Sequence, residues 1–310
     1  MAPILAVWVG ISAVIDRRYK IAGLAINDTQ TKIMAVSWFT DRHFFLLAVV
    51  VYGISTIYSV FLWRKGFRRD DRINYSLLVV AAGFHTAAMF MRGIHLDRCP
   101  VNNLYEAIVF LLWTIAAVYL VVGLFPRLRF LGAFAAPVLF CIGVFALMPA
   151  LDPKVVTPVF RTDWVNIHAA LILLAYGAFG LSAIAGVMFL MQEHDLKFHK
   201  ARAVFSMLPP IQRLERVMSG LIIAGVILLT AGLAFVPLLI KEKEHEWTAF
   251  KGDPILYYSV FIWLVYWALF VARWKFGQGG RRFAYGVVAS FVFLLLTFWG
   301  FMLLSPLHNK

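Results

Sequence analysis

The chain has 310 residues, of which 62% are hydrophobic and only 15% are charged, and its formal net charge is +13. A soluble fold of this length could not bury so much apolar surface, and the apolar residues fall in blocks of about 20, the length of a membrane-spanning helix. This composition excludes a soluble globular protein, and the lack of short alternating segments excludes a β-barrel.

The apolar blocks predict an all-α fold, a polytopic integral membrane helix bundle with about eight transmembrane helices. The predicted spans cover residues 44–63, 73–91, 103–124, 130–149, 165–191, 218–240, 255–273 and 284–306. The breaks between them carry charged residues or Pro and Gly, which end helices. Residues 44–310 are therefore expected to form one transmembrane domain.

Residues 1–43 do not fit this pattern. The stretch "APILAVWVGISAVI" is apolar for only about 14 residues and is followed at once by the charged "DRRYK". It lacks the small-residue cleavage site of a signal peptide. Three interpretations remain open: an interfacial helix, a short ninth span, or an upstream extension.

The positive charges are distributed among the connections in the way that membrane topology requires, and not in the way expected of a nucleic-acid-binding site. Alternate connections, beginning with "RKGFRRDDR", carry 16 of the 29 Lys and Arg residues, whereas the opposite connections carry eight. The positive-inside rule makes the richer set cytoplasmic. We therefore predict no nucleic-acid partner, contact with membrane lipid, and an outer face formed by residues 93–102, 150–164, 241–254 and the C-terminus.

The two cysteines exclude two kinds of chemistry. Cys99 and Cys141 form neither a CxxC nor a CxxCH motif, so the chain neither attaches haem to itself covalently nor acts as a thiol oxidoreductase. Phosphate-binding loops and HExxH metal motifs are also missing from the sequence, and no residues are arranged for acid–base catalysis.

Five of the eight histidines lie in charged or outer loops, and three remain as candidates for a site. His85 lies deep in the second span, His168 begins the fifth, and His308 follows the eighth. On the predicted topology, His168 and His308 emerge at the same outer face from helices distant in sequence. Two facing imidazoles are an axial pair that haem iron accepts. The alternative is that each ring hydrogen-bonds a neighbouring helix.

Aromatic and polar residues of the outer connections extend this candidate site. Trp164, Trp247 and Phe250 would suit a porphyrin face, although the interfacial aromatic belt also explains tryptophans there. Asp253 precedes Pro254 and either caps the seventh span or belongs to the site.

The start of the third span allows two interpretations, of which helix capping is the first. The stretch "CPVNNLYEAI" places Asn102 or Asn103 at a capping position and Glu106 in the first helical turn. Alternatively, Tyr105 and Glu106 contact the polar edge of a ligand.

Several of these stretches resemble one family. "GFHTAAMFMRGIHLDRCPVNNLYEAIVFLLW", "WVNIHAALILLAYGAF" and the C-terminal "LLSPLH" are similar, in this order, to the CcsA/ResC-type cytochrome c assembly proteins. The resemblance covers roughly residues 80 to 310. It implies that His168 and His308 bind haem b non-covalently beside a tryptophan-rich outer loop.

The sequence departs from the family pattern at two positions. The family loop resembles WGxxWxWDPKE, and here Trp247 and Asp253 survive but Gly252 replaces the tryptophan before Asp-Pro. Val271 stands where many members carry a histidine. A transmembrane bis-histidine site is therefore not evident, and His85 is either its remnant or a helix-packing residue. Such loss of family-pattern residues resembles the HemX-like branch of the family.

Two functions follow as the main hypotheses. The first is haem handling at the outer face of the bacterial cytoplasmic (inner) membrane for c-type cytochrome biogenesis, as part of a cytochrome c haem lyase or synthetase system. Its partners would be haem, apocytochrome c and a membrane protein of CcsB/ResB type. The second is a HemX-like regulator or scaffold of haem biosynthesis without stable haem transfer. A transporter is disfavoured because no paired broken helices occur in the sequence.

Overall fold

The computed structural model describes residues 40–64, 72–96, 104–148, 163–197, 210–237, 254–277 and 279–304, and the fold is given for these ranges. Within them the chain forms eight long α-helices and no β-strand. The helices are α1 (Asp41–Arg64), α2 (Arg72–Leu96), α3 (Leu104–Gly123), α4 (Gly132–Ala146), α5 (Asp163–Lys197), α6 (Ile211–Ala234), α7 (Pro254–Trp274) and α8 (Gly280–Leu304). A 3-10 helix, Pro126–Leu131, leads directly into α4.

All eight helices of the described ranges, α4 together with its 3-10 lead, are long and apolar enough to cross a membrane. The predicted all-α bundle with eight spans is therefore confirmed. The largest difference in a boundary is at α6, which begins at Ile211 rather than at residue 218. The predicted apolar span does not include the charged residues Arg213, Glu215 and Arg216, but backbone hydrogen bonding continues a helix beyond its apolar part.

The N-terminal prediction cannot be compared with the fold. Residues 1–39 lie outside the described residues, and α1 begins at Asp41, three residues before the first predicted span. The division into a segment 1–43 and a domain 44–310 stays a prediction.

Helix α5 is the centre of the bundle and α7 is at its edge. In an 18-residue apolar stretch of the α5 segment Ile167–His194, 83% of the residues are buried, whereas only 17% are buried in the α7 segment Tyr257–Trp274. α5 packs on α3, α6 and α8. Its crossing with α3 is close, because a Cβ atom on Gly177 would lie 2.7 Å from the carbonyl carbon of Thr114. A helix this enclosed can hold a site whose geometry is set by protein rather than by lipid.

The eight described helices are candidate membrane spans, and successive spans alternate in direction, so their ends gather at two faces of the bundle. The face that carries the beginnings of α1, α3, α5 and α7 and the ends of the other helices is called the His168 end. The opposite face is called the Arg273 end. Contacts between helix ends occur at both faces: Arg92 of α2 binds Asp41 of α1 at the first, and Arg273 of α7 binds Glu215 of α6 at the second.

Candidate functional site

His168 lies near the beginning of α5, where its ring meets the last turn of α6. Nδ1 of the half-buried ring is 2.8 Å from the carbonyl oxygen of Gly232. A carbonyl oxygen only accepts hydrogen bonds, so Nδ1 carries the proton in this contact. The neutral imidazole is then the tautomer whose lone pair is on Nε2.

The carbonyl that receives this proton belongs to the end of a helix. The backbone N–H of Phe235 donates to the same Gly232 oxygen over 3.2 Å, which closes the last turn of α6. Carbonyls in a last turn lack the usual partner four residues ahead and are satisfied by other donors. They also form the negative end of the helix dipole, which favours a donor or a cation such as an imidazole N–H.

The predicted companions of His168 cannot be placed. His308, Trp247 and Asp253 lie outside the described residues, and Trp164 belongs to α5 without a described side chain. Pro254 is the first residue of α7, in agreement with the predicted start of the seventh span. The grouping of these residues around His168 remains a prediction.

His85 is in the middle of α2 and is completely buried. Its Nδ1 is 3.2 Å from the hydroxyl of Tyr52 on α1, and its ring centroid is 5.0 Å from that of Phe45. The ring also faces the backbone of Val109 on α3. Among the described residues, Nε2 has no hydrogen-bond partner. These contacts with two neighbouring helices, α1 and α3, favour the packing interpretation of His85 over the ligand interpretation.

A charged cluster joins three helices at the His168 end. Arg92 of α2 binds Glu106 of α3 through Nε and Nη2, each 3.0 Å from Oε1, and Asp41 of α1 through Nη1 at 2.9 Å. The guanidinium groups of Arg92 and Arg42 also lie over the ring of Tyr105, 4.8 and 5.1 Å from its centroid. The position of Glu106 in the first turn of α3 is confirmed. The pairing of Arg92 with Glu106 was not predicted, although opposite charges at the ends of two apolar spans could have indicated it.

A second polar cluster lies at the Arg273 end. Arg273 donates from Nη1 to Glu215 at 2.8 Å and from Nε to the Ser219 hydroxyl at 3.1 Å. The backbone N–H of Gly280 donates to the same Glu215 oxygen over 2.9 Å. One carboxylate of α6 therefore fixes the end of α7 and the beginning of α8.

Two aromatic residues of α7 attach this helix to its neighbours. The Nε1–H group of Trp263 donates to the hydroxyl of Thr230 on α6 over 2.9 Å. The ring of Tyr266 is buried and stacks on Phe179 of α5, with centroids 3.5 Å apart and planes 4° from parallel. Both side chains are thus engaged in helix packing.

Comparisons with known proteins agree with the resemblance. Protein HemX of Brevibacillus brevis is 24% identical over 271 residues, which cover 86% of this chain and 96% of that protein. Cytochrome c biogenesis protein CcsA of Gloeobacter violaceus is 24% identical over 278 residues, 72% of this chain and 82% of that protein. The corresponding CcsA protein of Prochlorococcus marinus (strain MIT 9313) is 28% identical over 265 residues, 76% of this chain and 83% of that protein.

The family match itself covers most of the bundle. Residues 101–308, which include α3 to α8, match the family described as Cytochrome C assembly protein. This span is more than half of the chain and includes both histidines of the predicted axial pair. The chain, whose described residues form eight helices long and apolar enough to cross a membrane, therefore belongs to the cytochrome c assembly protein family.

Proposed function

We propose that this protein takes part in c-type cytochrome biogenesis by holding haem b non-covalently at the His168 end of the bundle. His168 and His308 would be the two axial ligands, with Trp247 and Trp164 beside the porphyrin and Asp253 at the start of α7. The CcsA relatives support the biological process, because they are named cytochrome c biogenesis proteins. The sequence supports the pairing of the two histidines.

The hydrogen bond between His168 and Gly232 is the observation that carries the proposal. Histidines that bind metals usually donate their second ring N–H to a carboxylate or a backbone carbonyl, which fixes the tautomer and makes the ligating nitrogen more basic. The Nδ1–H of His168 makes such a bond at 2.8 Å. The ring therefore fits a haem ligand that coordinates through Nε2.

Haem, when bound, supplies an iron that takes two axial imidazoles and vinyl groups that can be joined to the thiols of an apocytochrome. The chain's own contribution would be to hold the cargo in position. The amino-acid sequence contains no motif for acid–base or nucleophilic catalysis. Any lyase or synthetase activity would then depend on orientation, which alone lowers reaction barriers substantially.

The proposed orientation follows from charge. The connections at the Arg273 end belong to the set that carries 16 of the 29 Lys and Arg residues. The positive-inside rule then makes the Arg273 end cytoplasmic and the His168 end periplasmic or external, in a bacterial cytoplasmic membrane. Haem at the His168 end would be accessible to apocytochrome c and to a membrane partner of CcsB/ResB type.

Absorption spectroscopy of the purified protein tests the site. We expect a low-spin bis-histidine spectrum that is lost or weakened in His168→Ala and in His308→Ala. His194→Ala is the matched control, because His194 is exposed near the other end of the same helix. If both axial variants keep the haem content and the spectrum of the parent protein, the proposed site is wrong.

A second function is favoured by the HemX relative and by the family departures. The alignment covers 96% of that protein, and both Gly252 and Val271 depart from the pattern of haem-presenting members. The protein would then be a regulator or scaffold of haem biosynthesis. A deletion strain separates the two functions: loss of all c-type cytochromes supports assembly, whereas normal cytochromes with altered amounts of a haem-biosynthetic enzyme support regulation.

A further inference from the structure

We propose that Gly232 is a positioning residue for His168. Its carbonyl oxygen selects the tautomer of the imidazole, and its missing side chain lets that carbonyl come within reach. The tautomer is a property of the chain itself, and only its use in binding haem rests on the proposed function.

The geometry of the carbonyl supports the first part of this proposal. Gly232 belongs to the last turn of α6, and its oxygen already accepts the N–H of Phe235 at 3.2 Å. A carbonyl oxygen has two lone pairs, so the second can receive the Nδ1–H of His168 at 2.8 Å. This one hydrogen bond gives a donor to a carbonyl at the helix end and also fixes the tautomer of the His168 ring.

The packing around Gly232 supports the second part. A Cβ atom at this position would lie 2.9 Å from Cγ1 of Ile172, closer than nonbonded carbon atoms approach, and 3.4 Å from Cβ of Leu171. Ile172 is four residues after His168, so both side chains are on the same face of α5. Any side chain at position 232 would therefore move α6 away from the face of α5 that carries the histidine.

The most direct test uses the parent protein without haem. The protein is labelled with ¹⁵N-histidine and ¹³C-glycine, reconstituted in lipid bilayers and studied by solid-state NMR. The His168 signals are assigned by their loss in His168→Gln. We expect the Nδ1–H tautomer and a through-space contact between this proton and the Gly232 carbonyl carbon. The absence of that contact, or the opposite tautomer, overturns the proposal, and the measurement needs no variant beyond the His168→Gln protein used for assignment.

Three variants then test the role of the missing side chain. In Gly232→Ala the Nδ1–H signal of His168 should be lost or replaced by a mixture of tautomers. Gly220→Ala is the control on the same helix, because a Cβ there would meet no atom within 4 Å. The double variant Gly232→Ala/Ile172→Ala removes the obstructing Cγ1 and should restore the tautomer of the parent. An unchanged tautomer in Gly232→Ala, or no recovery in the double variant, contradicts the proposal.

Haem titration examines the link to the proposed function separately. Loss of an outer hydrogen bond to a ligating histidine lowers metal affinity by about 10- to 100-fold, and we expect a decrease of this size for Gly232→Ala. The reduction potential of bound haem should rise, because the imidazole becomes a weaker electron donor. If His168→Ala leaves haem binding unchanged, the proposed function fails, while the NMR result still decides the role of Gly232.

Discussion

Arg92 at the end of α2 binds the carboxylate of Glu106, in the first turn of α3, through two nitrogens that are each 3.0 Å from the same oxygen. The Glu106 side chain is completely buried, whereas that of Arg92 is 15% exposed. The ion pair therefore joins the end of α2 to the first turn of α3 and keeps the Glu106 carboxylate away from solvent.

Replacement of Arg92 should be strongly destabilising. Removing one partner of a buried ion pair costs about 3 kcal/mol or more, because the remaining charge stays buried. We expect Arg92→Met to lower the free energy of unfolding by this amount. The double variant Arg92→Met/Glu106→Gln should lose less unfolding free energy than Arg92→Met, because it no longer buries a carboxylate. Arg281→Ala is the control, since Arg281 is 53% exposed and 3.8 Å from Glu193. Equal losses in the three variants would argue against a buried pair.

His85 is expected to contribute to stability and not to haem binding. Tyr52→Phe removes the hydroxyl beside Nδ1 and should cost about 1 kcal/mol of unfolding free energy. The same change in a His85→Leu background should cost less, since the hydrogen bond is already lost. Haem content, measured per mole of folded protein, should be the same in His85→Leu as in the parent. A lower haem content would instead identify His85 as the remnant of a transmembrane ligand pair.

Arg273 should fix the bundle at the end opposite the histidine site. Arg273→Lys keeps the charge but loses the planar donor group that reaches both Glu215 and Ser219. We expect a lower unfolding temperature for both Arg273→Lys and Arg273→Ala, with an unchanged haem titration. A change in haem affinity would show that the two ends of the bundle are coupled.

Trp247 tests whether the outer loop still forms a platform for haem. An aromatic contact is worth about 1 kcal/mol beyond buried area, so Trp247→Ala should weaken haem binding about fivefold while the spectrum remains low-spin. Folded Trp247→Ala protein is titrated with haem beside the parent. Unchanged affinity together with reduced yield or thermal stability would assign Trp247 to the interfacial aromatic belt.

The fold was largely predictable from the sequence because spans follow from apolar length. The exceptions are helix ends where charged residues continue the helix, as at Glu215, which lies four residues after the observed start of α6. Sequence reasoning could not foresee that this glutamate binds Arg273, 58 positions later. Apolar length gives no information about which charged helix ends become neighbours.

The candidate site was predictable only in part. His168 was identified from its place at the start of a span, but its partner is a backbone carbonyl 64 residues away. A carbonyl has no sequence signal, and Gly232 is one of several glycines in an apolar helix. The Tyr52 hydroxyl beside His85 is similarly distant in sequence, at 33 residues. Such contacts depend on how helices cross, which composition and spacing do not encode.

The enclosure of α5 has a consequence for the membranes in which this protein can work. A bilayer thicker or thinner than the protein's apolar girdle tilts or strains the helices that face lipid, and α7 is the most exposed of these among the described helices. α5 is surrounded mainly by other helices, so we expect its tilt, and the height of His168 in the bilayer, to vary little with acyl-chain length. The histidine site should consequently tolerate changes in lipid composition that accompany growth temperature.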